Sequence, residues 1–385
     1  MSDPLARVAA LAPAIEAAAD EIERARRLPS ALVEVLHEAG MFRLLLPRSL
    51  GGAEVDPAAF VRVTEAVAKV DASTAWVLGQ TGVCAMSAAY LAPPVATEVF
   101  GPPCAVLAWG AGPVGRAVVA DGGYRVTGTW GFASGGRHAT WLGGHSTICA
   151  ADGTPRRGAD GEPEVRTMLF PADAVAWQDV WDVIGLRGTG SDTYTVTDLF
   201  VPAERSLTRD EPAERRQPGA LYCFSTSNLY AAGFAGVALG VARAMFDAFL
   251  DLARGKTRRG TRQPLRDSAV AQAEVARLEA TLGSARAYLF ATLEDMRRAV
   301  ERRGALGLDE RVAIRLAATS AIHRAVEVAD RVYHAAGAGA IFAGGAWERR
   351  FRDIHAAAQQ VQGRDDHYEN VGRFLLGLPP DTTFI

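Results

Sequence analysis

Apolar residues recur at helical spacing over the first hundred positions. Leu32, Val35, Leu36 and Ala39 stand at i, i+3, i+4 and i+7, on one face of a helix. Ser30 reads as its N-cap and Gly40 as its stop. Pro47 and the Gly51–Gly52 pair break the chain before a second helical stretch, DPAAFVRVTEAVAKV. The opening MSDPLARVAALAPAIEAAADEIERARRLP carries acids within its apolar pattern, so it predicts an amphipathic helix and no secretory leader.

The period changes near residue 103. Tyr124, Val126, Gly128, Trp130 and Phe132 alternate with Arg125, Thr127, Thr129 and Gly131, a strand pattern rich in aromatic and β-branched residues. Thr193, Thr195 and Thr197 alternate with Tyr194, Val196 and Asp198 in the same way. Turn signals at Asp121-Gly122-Gly123, Asp152-Gly153 and Asp160-Gly161 punctuate the region, and ADGTPRRGADGEPE predicts an exposed hairpin loop. From about Leu221 the helical period returns. Ile314, Ala317, Ala318, Ala321, Ala325, Val328 and Val332 step by three and four, and their small size permits close helix–helix approach. The expected fold is α+β and multi-domain: an N-terminal α-helical domain over residues 1–102, a central β-barrel over 103–212, and a C-terminal four-helix bundle over 213–385.

Composition narrows the functional classes. A chain of 385 residues that is 49% hydrophobic has ample core for such a plan. Its formal net charge of −3 gives no basic footprint for nucleic acid. No run of about 18 uncharged apolar residues occurs, so no membrane span is expected. The four cysteines are scattered without a CxxC spacing, which argues against a metal site and fits a reducing, cytoplasmic setting.

Several motifs match in letters only. Gly110, Gly112 and Gly115 spell GxGxxG, but Pro113 interrupts them and RAVVADGGYRVTG reads as strand, turn and strand. A Rossmann site needs a helix there, so that pyrophosphate meets its N-terminus. Gly255-Lys256-Thr257 ends like a P-loop, but Leu250 stands where the first glycine belongs. No HExxH occurs, and Ser134 lies in Ala-Ser-Gly, not GxSxG.

Three strings, in order, carry a resemblance. LPRSLGGAEVDP (46–57), DVWDVIGLRGTGSDTYTVTDLFVPAER (179–205) and WERRFRDIHAAA (347–358) resemble segments of the acyl-CoA dehydrogenase superfamily. FASGGRHATW (132–141) and RDIH (352–355) are most similar to its flavin-dependent monooxygenase branch, oxygenase components that receive reduced flavin from a separate reductase. A dehydrogenase of this family needs a carboxylate base for the α-proton. In most members a Glu follows the Arg-Asp pair, but this chain reads AAAQQVQG there. The other family position falls in STSNLYAAGFAG, which also lacks a carboxylate. Asp365, Asp366 and Glu369 could serve only if the alignment slips.

The resemblance therefore implies reduced FMN or FAD (FMNH2 or FADH2) as cofactor, O2 as co-substrate, and hydroxylation or N-oxygenation of a small, foremost aromatic, substrate. It implies a separate NAD(P)H-flavin reductase and a homotetramer. An atypical FAD-dependent desaturase and a non-catalytic flavin-binding homologue are the alternatives. Ser134 is the residue expected to accept the flavin N5–H, and an apolar surround would protect the flavin–oxygen adduct. The bland reading of Ser134 is a turn residue before Gly135-Gly136. Trp109 and Phe132 are expected at the flavin, with Arg258, Arg259, Gly337 and Gly339 near its phosphates or ring. His138, Trp141 and Gln360 are candidates for the substrate pocket. His355 is the second candidate catalytic residue, set against a helix-cap or salt-link role with Asp353. The branch often shows a second His five residues on, where this chain has Gln360. Arg187-Gly-Thr-Gly-Ser191 reads as a turn offering N–H groups to an anion, or as a plain barrel corner.

Overall fold

The computed structural model describes residues 3–158, 161–257 and 262–385. Five helices come first. α1 (Pro4–Ala25) starts where the Asp3 carboxylate accepts the Leu5 N–H, and Arg26 ends it in the left-handed region. α2 (Ser30–Glu38) stops before Gly40, whose φ is +67°. Its N-cap is Pro29, so Ser30 is the first helical residue and not the cap. α3 (Pro57–Val70) and α4 (Ala72–Ala85) meet at Asp71, which ends one and caps the other. α5 (Pro93–Phe100) completes the set.

An eight-stranded mixed sheet follows. β1 (Leu107–Trp109) and β2 (Gly115–Ala120) run parallel to β4 (Trp141–Cys149), one after the other along its edge. β3 (Gly123–Trp130), β5 (Val165–Pro171), β6 (Ala176–Gln178), β7 (Thr193–Pro202) and β8 (Ser206–Leu207) complete the ladder β6-β7-β3-β2-β4-β5-β8. Three strands separate Tyr194 on β7 from Phe170 on β5, yet their rings lie 6.3 Å apart. Both pack on Trp130, and the Tyr194 hydroxyl donates to Gly143 O and accepts the Gly110 N–H. The sheet therefore curls into a barrel around its own core, which includes Ala108, Val126, Leu142 and Met168.

Five helices close the chain: α6 (Thr226–Gly255), α7 (Ala269–Arg303), α8 (Leu308–Ala336), α9 (Glu348–Ala358) and α10 (Asp366–Leu375). All seven small and apolar positions predicted for one face of α8 are buried. α6 packs against both α3 and α8. Gly233, Gly236 and Gly240 face α3, where a Cβ would meet Phe60, Thr64 and the Glu65 carbonyl. By length and composition α6 could cross a membrane, but 89% of its apolar window is buried among the other helices. The first and last helices share one core cluster, and the barrel keeps another.

Candidate active site

Strand register decides which aromatic residues face the helices. Trp109 pairs with Gly143, and Trp141 lies two residues before it, so both tryptophans share one face of the sheet. Both join the helical core, whereas Trp130 points into the barrel and donates its indole N–H to His145 O. Against this face lie α4, with Trp76, Gln80 and Cys84, and α6, with Tyr230 and Phe234. Trp76 and Phe234 stack at 3.8 Å and 6°, a contact worth about 0.5–1.5 kcal/mol beyond burial.

Ser134 is buried on the loop after β3 and anchors a chain of hydroxyls. The Trp76 indole N–H donates to Ser134 Oγ at 3.1 Å. Ser134 Oγ lies 2.7 Å from Ser191 Oγ, and Ser191 Oγ lies 2.6 Å from Thr189 Oγ1. Thr189 donates to Leu186 O at 2.8 Å. The Leu186 N–H in turn donates to Asp353 on α9 at 2.6 Å, although Leu186 sits in the left-handed region with φ +52°. FASGG, GLRGTGS and RDIH are thereby joined in one network. Backbone bonds support it: Gly135 N–H donates to Thr189 O and Ala133 N–H to Asp192 O. The Arg187–Ser191 turn is a barrel corner, and its Thr189 and Ser191 hydroxyls join the Ser134 chain. Burial pushes Asp353 up to about 7, against the pull of the Leu186 N–H and Arg349. Arg349 also pairs with the Asp71 cap of α4, tying α9 to the N-terminal helices.

The rest of the pocket was not legible in the sequence. The Tyr230 hydroxyl lies 3.3 Å from Cys84 Sγ and from Gln80 Nε2. Burial pushes the Cys84 thiol up to about 12 and the Tyr230 phenol well above its ordinary range, so both stay neutral. The Arg209 guanidinium stands over Trp109, 5.6 Å from the ring centroid. It has no hydrogen-bond or ion-pair partner among the described residues, and its charge is felt by Cys84, Tyr230, His145 and the carboxylate of Asp210. Widely separated positions supply these groups, and no local spacing signals them.

The other predicted residues are dispersed around this centre. Phe132 is 69% exposed, has φ +59°, and meets Trp181 edge-on at 5.9 Å. That backbone costs a bulky residue on the order of 1 kcal/mol. Trp141 is covered by Arg205, 5.2 Å from its ring. His138 is half-buried on the side facing Arg27 and His37; burial, with their repulsion, lowers it to about 4, so it is neutral. His355 pairs with Asp330 on α8 at 2.9 Å, not with Asp353. Two residues apart on a helix point to different sides, so Asp353 turns inward while His355 faces α8. The Gln360 carbonyl accepts the Gln362 N–H, which leaves its amide N–H2 for another partner. Gly337 is the C-cap of α8 with φ +70°, and a Cβ on Gly339 would meet open space. Arg258 and Arg259 lie outside the described residues.

Carboxylates near the site are already engaged. Asp192 accepts the Arg137 guanidinium at 2.7 Å and the N–H groups of Val180 and Trp181. Asp210 accepts the Thr226 N–H and hydroxyl at the start of α6. Asp365, Asp366 and Glu369 are exposed on and beside α10. Neither stretch that matches a family base position, 356–363 or 225–236, contains a carboxylate. What the site offers is an aromatic face and a buried hydroxyl with one lone pair still open. That open acceptor fits a reduced flavin edge, which presents N–H to the protein, and the exposed Phe132 ring offers apolar surface for it.

Comparison with known proteins shows which family and fold the chain shares. The acyl-CoA dehydrogenase N-terminal domain pattern matches residues 8–98 and the acyl-CoA dehydrogenase C-terminal domain pattern matches residues 232–363. The oxygenase subunit HsaA of a flavin-dependent monooxygenase from Rhodococcus jostii is 29% identical, covering 98% of this chain and 100% of its own. The crystal structure of 3-HSA hydroxylase from Rhodococcus sp. RHA1 superimposes with a TM-score of 0.90 at 27% identity, covering 100% of this chain and 99% of that one. XiaF from Streptomyces sp., solved in complex with FADH2 and glycerol, gives 0.89 at 26% identity over 98% and 96%.

Proposed function

We propose, from the premise that this chain belongs to the acyl-CoA dehydrogenase family, that it is the oxygenase component of a two-component flavin-dependent monooxygenase. One observation carries the reading. The stretch 225–236, which holds the base in some dehydrogenases, has no carboxylate here and supplies neutral Tyr230 beside Cys84, while Ser134 offers an open acceptor. Reduced flavin, when bound, supplies the two electrons with which O2 is divided between product and water. A separate NAD(P)H-dependent reductase provides that flavin.

The protein's own groups do the rest. Ser134 holds a donor N–H at the flavin edge. Trp76, Phe234 and Trp109 exclude water and present flat surfaces to an aromatic substrate. Arg209 suits a substrate that carries a carboxylate or an ionised phenol, because its guanidinium keeps its hydrogen-bond donors open even with Asp210 nearby. His355, held by Asp330, and the amide of Gln360 are assigned to orienting the substrate hydroxyl. Exposed apolar side chains at Val180, Ile184, Ile341 and Phe342 support a homotetramer, in which neighbours cover them. Four free thiols support a cytoplasmic setting.

The test is anaerobic loading with reduced FMN or FAD, followed by labelled O2 and a panel of phenols and indoles. The expected result is one labelled oxygen atom in the product, with Ser134→Ala diverting turnover towards hydrogen peroxide. Reduction of tightly held FAD by an acyl thioester, without O2, would overturn the reading.

A further inference from the structure

The hydroxyl chain has a direction, and the direction can be worked out from its end. A carbonyl oxygen only accepts, so Thr189 must spend its single O–H proton on Leu186 O. Thr189 therefore accepts from Ser191, and Ser191 has spent its proton in turn. Ser191 can then only accept from Ser134. Ser134 has no proton left to give. One of its lone pairs already holds the Trp76 indole N–H, and one remains.

From this we infer that Thr189 and Ser191 are positioning residues that fix Ser134 as an acceptor, and so make the site selective for reduced over oxidised flavin. The inference rests on the oxygenase reading, in which flavin N5 meets Ser134. Reduced flavin carries N5–H, a donor that matches the open lone pair. Oxidised flavin has a bare N5 acceptor, which would face a second acceptor across the contact. The selectivity lies in a barrel corner two hydroxyls removed from the ligand. It gives an oxygenase that receives diffusing flavin a means to take the reduced form and to release the oxidised one.

The corner is built to keep this polarity. Leu186 O also accepts the Trp181 indole N–H at 3.1 Å, and Leu186 N–H is held by Asp353 at 2.6 Å, so the terminal carbonyl is fixed from both sides of its residue. Thr189 and Ser191 are both buried, and no other acceptor competes for their protons among the described residues.

The experiment measures dissociation constants of FMN and FAD, each in both redox states and without O2, for the wild-type chain and three variants. Thr189→Val removes the terminal hydroxyl and leaves Leu186 O bonded to Trp181. The Ser191 proton can then turn to Ser134, and the Ser134 proton can turn to the flavin. Ser191→Ala frees the Ser134 proton directly. Both variants are expected to lower the ratio of oxidised to reduced dissociation constants by about tenfold, the scale of one buried hydrogen bond. Thr189→Ser should restore it. A tenfold change in that ratio moves the midpoint potential of the bound flavin by about 30 mV, an independent readout. General damage to the fold would weaken both redox states together and leave the ratio unmoved. An unchanged ratio in Thr189→Val and Ser191→Ala, or equal wild-type affinity for the two states, overturns the inference alone. Failure of the wild-type chain to bind either form overturns the oxygenase reading beneath it.

Discussion

The Asp353 carboxylate accepts the backbone N–H of Leu186 across 2.6 Å, from a helix 167 residues further along the chain. It holds a non-glycine residue in the left-handed region, at the corner that carries the hydroxyl chain. Asp353→Ala leaves that N–H buried without an acceptor and strips Arg349 of one partner. The expected loss is about 2–4 kcal/mol in urea unfolding. Asp353→Asn, which keeps an acceptor oxygen, should recover part of it. A midpoint unchanged in the alanine variant would remove the clamp from the account.

Arg209 stands over Trp109, and no carboxylate among the described residues closes an ion pair on its guanidinium, although its charge reaches the neighbouring Asp210. Arg209→Met keeps length and apolar contact and removes the charge. The Michaelis constant for arylcarboxylate or acidic phenol substrates should rise by roughly tenfold or more, the effect of one charge-assisted bond. Neutral analogues should be affected far less. Equal losses for both classes would mean that Arg209 shapes the pocket without reading charge.

His138 carries a pH dependence with a definite sign. Its folded value of about 4 lies below the ordinary 6.5, so the unfolded chain takes up the proton first. Stability from this residue is complete above pH 6.5 and falls as the pH drops towards 4. The loss is about 2–3 kcal/mol after allowance for solvent screening. Buried His145 acts in the same direction. Denaturation of His138→Gln across pH 4–7 should give a flatter curve than wild type, and parallel curves would refute the assignment.

Gly240 lies where α6 crosses α3, and a Cβ there would collide with the Glu65 carbonyl and the Ala68 side chain. Gly240→Ala should therefore cost about 1–3 kcal/mol, despite alanine's better helix propensity. Gly283, whose Cβ would meet open space on α7, is the control. There the same change should stabilise by about 0.4–1 kcal/mol. Calorimetric melting temperatures moving in opposite directions would confirm the close approach.

Periodicity made the fold legible. Strand alternation around Trp130 and small-residue spacing on α8 depend on local geometry, and both appear where the pattern places them. The site was legible only in pieces, because its contacts join distant segments. Trp76, the donor to Ser134, lies in a helix buried on nearly every side, where no amphipathic stripe marks one indole as different. Thr189 and Ser191 carried a signal as turn residues, but their side-chain hydroxyls mattered more than their backbone. The alternative link of His355 to Asp353 does not form, because sequence proximity is not proximity on a helix; Asp330 comes from the neighbouring one. Arg209 sits in a stretch with no motif; Tyr230 lies in the 225–236 stretch that lacks a carboxylate, but only packing brings either to Trp109.

The core shared by the first and last helices has a consequence for synthesis. α3 and α4 bury Phe60, Val61 and Trp76 largely against α6, which follows the entire barrel in the chain. At ribosomal speeds of about 5–20 residues per second, those apolar faces wait roughly 7–30 s for their cover. The barrel, with its own core, can close during that interval. A transcript cut short before α6 would thus yield a folded barrel carrying two naked helices, a product made for chaperones or proteases rather than for chemistry.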